Sequence, residues 1–194
     1  MKAWVSFAFK PWNQAMSALI KIALAVDWIS EKFSILATWT VLFAALISAG
    51  NAFIRYGLDW SSNSLIEIQW YLFAYMVMVG APHVLKLNEH VRVDLIYGKL
   101  KGNGPVYVDL FGLITFLVPV MGLLMYLSWS YFFNSLVSGE MSQNAGGLIR
   151  WPVVLAMPLG FGLVLLQGLS EIIKRVAYLQ GKFAMDTHYE KPLQ

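Results

Sequence analysis

The sequence predicts an all-α integral membrane protein with four transmembrane helices and both termini in the cytoplasm. Three observations lead to this fold class: a high apolar content, four apolar segments of spanning length, and an alternating distribution of Lys and Arg. Hydrophobic residues make up 58% of the chain and charged residues 13%, whereas soluble domains carry about a quarter charged residues. Eight Trp and nine Tyr also suit the aromatic belts of a membrane protein.

Residues 1–32 are expected to form a cytoplasmic-face segment containing an amphipathic helix that lies along the membrane surface. Between residues 10 and 32, most polar side chains share one side of a helical wheel and most apolar ones share the other. Ile20, Leu24 and Trp28 interrupt this segregation. A ragged extension of the first span is therefore the alternative interpretation.

The four spans lie within a transmembrane domain at residues 33–176. A helix needs about 20 mostly apolar residues to cross the hydrocarbon core, and four segments meet this length, at about 33–54, 65–85, 105–133 and 151–173. Pro119 and Pro158 are expected to kink or loosen the third and fourth spans. The connections are too short for an independent domain, and residues 177–194 form a cytoplasmic tail.

The orientation follows from the positive charges. Twelve of the fourteen Lys and Arg fall before the first span, between the second and third spans, or after the fourth. Arg55 and Arg150 alone occupy the two remaining loops. Because cytoplasmic loops carry an excess of Lys and Arg, both termini are predicted to be cytoplasmic.

Residue types that would support catalysis or cofactor binding are sparse. The chain has no Cys, and its three His are His83, His90 and His188. A haem held between helices often needs two His on facing spans, but His83 and His90 share one helix or its extension and His188 lies in the tail. We therefore expect no cofactor or metal. No nucleophile–base pair, phosphate-binding loop or carboxylate cluster suggests an enzyme, and a dispersed net charge of +3 does not suggest nucleic acid.

Three polar features are candidates for function. Glu67 is an ionisable residue inside a span, which is a functional-site hypothesis by default. It lies near the outer boundary, so a structural or partner-contact role is favoured over ion transport. Residues 88–94 alternate in charge, and they form either a solvated loop, with Arg92 pairing Asp94 or a lipid headgroup, or a docking element. Residues 138–147 are a turn-rich outer loop.

These segments, taken together, resemble the small membrane subunit (DctQ-like) of a tripartite ATP-independent periplasmic (TRAP) transporter. The resemblance extends over most of the chain from about residue 33 onward. It rests on the order and spacing of residues 51–56 (NAFIRY), 67–73 (EIQWYLF), 80–81 (GA), 88–94 (NEHVRVD), 97–98 (YG), 138–142 (SGEMS), 146–147 (GG), 150–152 (RWP) and 167–171 (QGLSE).

The resemblance implies an accessory subunit in the bacterial cytoplasmic membrane that braces a large multi-span subunit. The large subunit would move an organic acid, driven by a sodium gradient, and a periplasmic substrate-binding protein would deliver it. Substrate and ion sites would then lie outside this chain. The positions implied for subunit contact are Glu67, Trp70, His90, Arg92 and Asp94. The outer loop, through Glu140 and Arg150, is implied to meet the binding protein.

Two other interpretations share the four-span layout. One is the membrane anchor of a redox complex, which a Soret band in the purified protein would reveal. The other is a self-associating tetraspan channel or scaffold, which would form an active homo-oligomer by itself. The clustering of polar groups at span ends and in loops favours the accessory subunit over both.

Overall fold

The computed structural model describes residues 2–60, 62–88, 100 and 102–185, with side chains from residue 15 onward. Four helices in this part of the chain are long and apolar enough to cross a membrane. They are α1 (Lys2–Leu58), α2 (Asn63–Leu87), α3 (Gly104–Ser138) and α4 (Trp151–Leu179). For the described residues, the prediction of an all-helical fold with four spans is confirmed. The orientation in the membrane and the division into domains stay predictions.

Helix α1 runs without a break through the segment predicted to lie along the membrane and into the first span. Its 57 residues correspond to about 85 Å at 1.5 Å per residue, nearly three times the hydrocarbon thickness of about 30 Å. The continuity agrees with the alternative interpretation, an extension of the first span. Whether its first part lies in the membrane surface stays a prediction.

The ends of the helices follow from local sequence. The Ser62 hydroxyl accepts a hydrogen bond from the Ser64 N–H and caps the start of α2. Asn88 ends α2 with φ of 63°, and Gly139 follows α3 with φ of 61°, a left-handed conformation that suits these two residue types. Pro152 occupies the first turn of α4, where no N–H is needed.

Helix α3 contains the local loosening expected from its proline. Residues Leu113–Leu117 form a π-helical turn that ends two positions before Pro119, and this proline cannot donate a backbone hydrogen bond. In α4, by contrast, Pro158 is buried and the helix continues through it. The expectation of a loosened helix therefore holds for α3.

Helix α4 is the centre of the bundle. It packs against each of the other three helices, α1 and α2 also pack against each other, and α3 lies principally on α4. A small apolar core joins Ala37, Val79 and Leu163, from three different helices. Small residues allow the close approach: a Cβ on Gly160 would lie 2.9 Å from the backbone oxygen of Met78, which is the packing that small residues provide in membranes.

Candidate functional site

Polar side chains gather at the two opposite ends of the bundle. We call the end that contains the start of α2, the start of α4 and the loop 139–150 the outer end, because the charge distribution predicts that it faces away from the cytoplasm. The inner end contains residue 27 of α1, the start of α3 and the last turns of α4. Each end carries one cluster of hydrogen bonds and ion pairs that joins elements distant in the sequence.

The outer cluster is built on the carboxylate of Glu67. Its Oε1 accepts hydrogen bonds from the Ser142 hydroxyl at 2.5 Å and from the Asn144 side-chain amide at 2.7 Å. Its Oε2 accepts one from the Leu148 backbone N–H at 2.7 Å. The residue is only 3% exposed. An ionised group at this depth must be compensated, and here the compensation comes entirely from the outer loop 139–150.

Further bonds tie the same loop to the start of α2 and α4. Asn63 donates to the Ala145 carbonyl at 3.1 Å, and the Ser64 hydroxyl donates to the Gly146 carbonyl at 2.5 Å. The Tyr71 and Tyr75 hydroxyls donate to the carbonyls of residues 149 and 152 at 3.1 and 2.7 Å. A single antiparallel bridge joins the two arms of the loop. These bonds satisfy backbone groups that the non-helical loop would otherwise leave unpaired.

An open cleft of about 400 Å³ lies between this loop and α2. Its lining includes Glu67, Trp70, Asn144 and Arg150. Arg150 forms an ion pair with Glu140 and donates to the Tyr131 hydroxyl at 3.1 Å. The Trp70 side chain is 60% exposed. The cleft therefore combines a buried, fully engaged carboxylate with an accessible aromatic ring and a partly exposed guanidinium group.

The inner cluster is a network of charges across three helices, of which all but the partly buried Asp109 are buried. The Lys174 ammonium lies 2.9 Å from Oδ2 of Asp27 on α1 and 2.5 Å from Oε1 of Glu171. The Arg175 guanidinium pairs with Glu171 and, through Nε and one terminal nitrogen, with Asp109 at the start of α3, at 3.1 and 3.0 Å. Three carboxylates and two cations thus link α1, α3 and α4.

Neutral polar groups complete the inner cluster. Gln167 is fully buried, donates to Asp27 at 2.8 Å and to Glu171 at 3.0 Å, and accepts from the Ser30 hydroxyl at 2.7 Å. The Ser170 hydroxyl lies 3.0 Å from both Oδ1 of Asp27 and the Ala23 carbonyl oxygen, which share its one proton. Breaking a buried ion pair by removing one partner costs about 3–5 kcal/mol. The cluster therefore holds the first and third helices on α4.

The sequence-predicted site residues have different positions. Glu67, Trp70 and Arg150 line one cleft, and Glu140 pairs with Arg150. His90, Arg92 and Asp94 lie outside the described residues. In the described ranges, no group of three or more His, Cys, Asp or Glu has an arrangement suited to a metal ion.

Sequence reasoning did not identify the inner cluster. The pattern of residues 10–32 predicts an interfacial helix that includes Asp27, and the fourth span is predicted to end at about residue 173, whereas Asp27, Glu171, Lys174 and Arg175 are all buried. One signal was available: Gln167, Ser170, Glu171 and Lys174 are spaced at i, i+3, i+4 and i+7, which places them on one helix face. This polar face lies on a helix that is predicted to span the membrane. Polar side chains on one face of such a helix indicate that the face packs against other helices of the bundle and not against lipid.

Comparison with known proteins agrees with a four-helix membrane protein. The family model described as "Tripartite ATP-independent periplasmic transporters, DctQ component" matches residues 44–177. No curated protein and no solved structure matches the chain. The matched range includes α2, α3, nearly all of α4 and the last part of α1, from residue 44 onward. The family is a class of transporter subunits and not a class of enzymes. The chain is therefore a multi-pass membrane protein that belongs to the DctQ family of TRAP transporter components.

Proposed function

We propose that the chain is the small accessory subunit of a TRAP-type secondary transporter and that it braces the large membrane subunit that moves the substrate. Membership of the DctQ family supports an association with other components of a TRAP transporter. One observation carries the bracing role. The inner cluster joins α1 and α3 to α4, while the outer cluster joins α2 to the loop before α4.

A braced scaffold also needs surface for its neighbours. Each of the four spanning helices exposes large apolar side chains, from Trp39 on α1 and Trp70 on α2 to Phe116 on α3 and Leu166 on α4. Such surface suits lipid tails and the helices of another membrane subunit. A transporter in which one body slides past another needs a second body that resists tilting, and interfacial Trp and Lys anchors oppose tilt.

The remaining parts of the proposal follow from the family resemblance. The transported substrate is an organic acid, uptake is driven by a sodium gradient, and the assembly lies in the bacterial cytoplasmic membrane. Of the positions implied for subunit contact, Trp70, His90, Arg92 and Asp94 contact the large subunit, whereas Glu67 is 3% exposed and contributes through the outer loop that it holds. Glu140 and Arg150 of the outer loop meet the periplasmic substrate-binding protein. The exposure of Trp70 and the partial exposure of the Glu140–Arg150 pair support these two assignments.

The first experiment is affinity purification of this chain from its native membranes in mild detergent, followed by mass spectrometry. We expect one large multi-span protein in stoichiometric amount. A haem-bearing or redox partner, or a chain that purifies alone as a homo-oligomer, would contradict the proposal.

The second experiment is reconstitution of the purified components in liposomes. Uptake of a labelled organic acid should require this chain, the large subunit and the binding protein, and it should stop when the sodium gradient is dissipated. Uptake of equal rate without this chain would exclude the accessory role, and uptake that follows a proton gradient alone would exclude sodium coupling.

A further inference from the structure

The carboxylate of Glu67 is engaged entirely within the chain. Both of its oxygens accept hydrogen bonds, and all three donors belong to the outer loop: Ser142, Asn144 and Leu148. The side chain lies beneath the loop and is 3% exposed. A partner on the outer surface would therefore meet the loop and not this carboxylate.

The loop has a tightly defined shape around that carboxylate. Gly146 has a φ of 70°, which favours glycine. At Gly147 a Cβ would lie 2.6 Å from the Ser142 Cβ and 2.9 Å from the Asn144 carbonyl oxygen. Asn63 and Ser64, at the start of α2, bind the carbonyls of the two residues before Gly147. The loop is thus formed in advance of any contact with a partner.

The tip of the outer loop is mainly polar, whereas its two arms expose the apolar side chains of Met141 and Ile149. Gln143, Asn144 and Ala145 are exposed at its tip, and they lie beyond the start of the apolar spans, at the end of the bundle. The polar tip, with Gln143 and Asn144, suits a water-soluble partner better than a membrane-embedded one. The exposed Trp70 ring lies across the cleft from the loop.

We propose that Glu67 is a positioning residue, whose carboxylate holds the outer loop in the shape that the water-soluble component of the transporter recognises. The inference rests on the proposed function, which supplies that partner. Preforming a loop improves binding because the cost of ordering it is not incurred at the moment of association. Glu67 then acts on the partner only through the loop.

Two substitutions separate positioning from a role of the charge itself. Glu67→Met keeps the approximate length of the side chain and removes both acceptors. Glu67→Gln removes the charge but retains hydrogen bonding, because the Ser142 hydroxyl can rotate and the Asn144 amide can flip to accept from the new amide N–H. Positioning predicts that the Glu67→Gln variant resembles the wild type. A direct charge contact or an ion-transport role predicts that both variants fail.

The loop itself can be observed without any partner. The chain has no Cys, so Gln143→Cys provides a unique attachment point for a spin label on the exposed tip. In the purified full chain, we expect an immobilised label in the wild-type background and in the Glu67→Gln variant, and a mobile one in the Glu67→Met variant. An equally immobilised label in the Glu67→Met variant would overturn the proposal. The double variant Ser142→Ala/Asn144→Ala tests the same bonds from the loop side, if the Glu67→Met variant fails to fold.

Transport by the reconstituted complex supplies the second readout. With Glu67→Met, the apparent KM for the substrate-loaded binding protein should rise about tenfold, while the maximal rate stays within about twofold. Glu31→Gln, at an exposed carboxylate of the inner end, is the matched control and should leave KM unchanged. A fall in maximal rate at constant KM would overturn the proposal. If uptake does not require this chain at all, the proposed function fails, and the spin-label result still decides whether Glu67 positions the loop.

Discussion

Lys174 and Asp27 are 147 positions apart in the sequence, and the Lys174 ammonium donates to both carboxylate oxygens of Asp27, at 3.0 and 2.9 Å. This bidentate contact fixes the position of α1 along α4. Lys174 also bonds to Glu171, and Arg175 extends the chain of charges to Asp109. The inner end of the bundle is therefore held by charges that pair with one another across α1, α3 and α4.

Removal of the Asp27 carboxylate should destabilise the protein strongly. Asp27→Ala leaves Lys174 buried with one partner fewer, and we expect the free energy of unfolding to fall by about 3–5 kcal/mol. Thermal unfolding in detergent measures the effect. The control is Glu31→Ala, four residues further along α1, whose more exposed carboxylate pairs with Lys86 at 3.4 Å and should change the stability by at most about 1 kcal/mol. Equal effects at the two positions would refute the role of the inner cluster.

The stability of the inner cluster should also depend on the geometry of the Arg175 guanidinium group. Arg175 binds Glu171 through one nitrogen and Asp109 through two others, and a lysine ammonium does not reproduce this fork. We expect Arg175→Lys to lower the free energy of unfolding by about 1.5–3 kcal/mol.

The same substitution at an exposed position provides the control for Arg175. Arg55 lies exposed at the outer end of α1, and Arg55→Lys should change the stability by no more than about 0.5 kcal/mol. If the unfolding curves of the two variants superimpose, the forked contacts of the Arg175 guanidinium contribute nothing to stability.

Much of this fold was predictable from the sequence, for a simple physical reason. Twenty apolar residues in a row have few alternatives to a membrane span, so the count and the approximate limits of the four helices follow directly. The continuity of α1 was harder to predict. The polar side chains between residues 10 and 32 predict a separate surface helix, yet one of them, Asp27, is buried because α4 supplies Gln167, Ser170 and Lys174 as partners.

The outer site shows the same limit. The position of Glu67 near the end of a span marked it as a candidate, but its donors come from residues 142 to 148, about 80 positions later in the sequence. No periodicity links a helix to a loop across that separation. The geometry was therefore available only from the packing of α2 beside α4, which brings the start of both helices to the same end of the bundle.

The close contact between α2 and α4 should be sensitive to one added methyl group. Gly160→Ala would place a Cβ 2.6 Å from the Met78 Cβ and 2.9 Å from its backbone oxygen, so we expect a destabilisation of about 1–3 kcal/mol. Gly122→Ala is the matched control, because no described side chain and no backbone atom of another helix lies within 4 Å of its added Cβ. In the isolated chain this control should stabilise by up to about 1 kcal/mol, through helix propensity. Changes of the same sign at both positions would contradict the packing argument.

The inner cluster also determines where α1 can be shortened without damage. Deletion of residues 2–14 removes the first three to four turns of α1 and retains the buried residues Met16, Ala23 and Asp27. If the start of α1 holds the assembly at a fixed depth, this deletion should lower the maximal rate of transport and leave the apparent affinity for the binding protein unchanged. Because the network around Lys174 is intact, the unfolding temperature of the chain should also stay unchanged.

Deletion of residues 2–30 should behave differently: it removes Asp27 and Ser30, so stability and transport should fall together. If the 2–14 deletion weakens the affinity for the binding protein as much as it lowers the maximal transport rate, the start of α1 does not contribute to bracing.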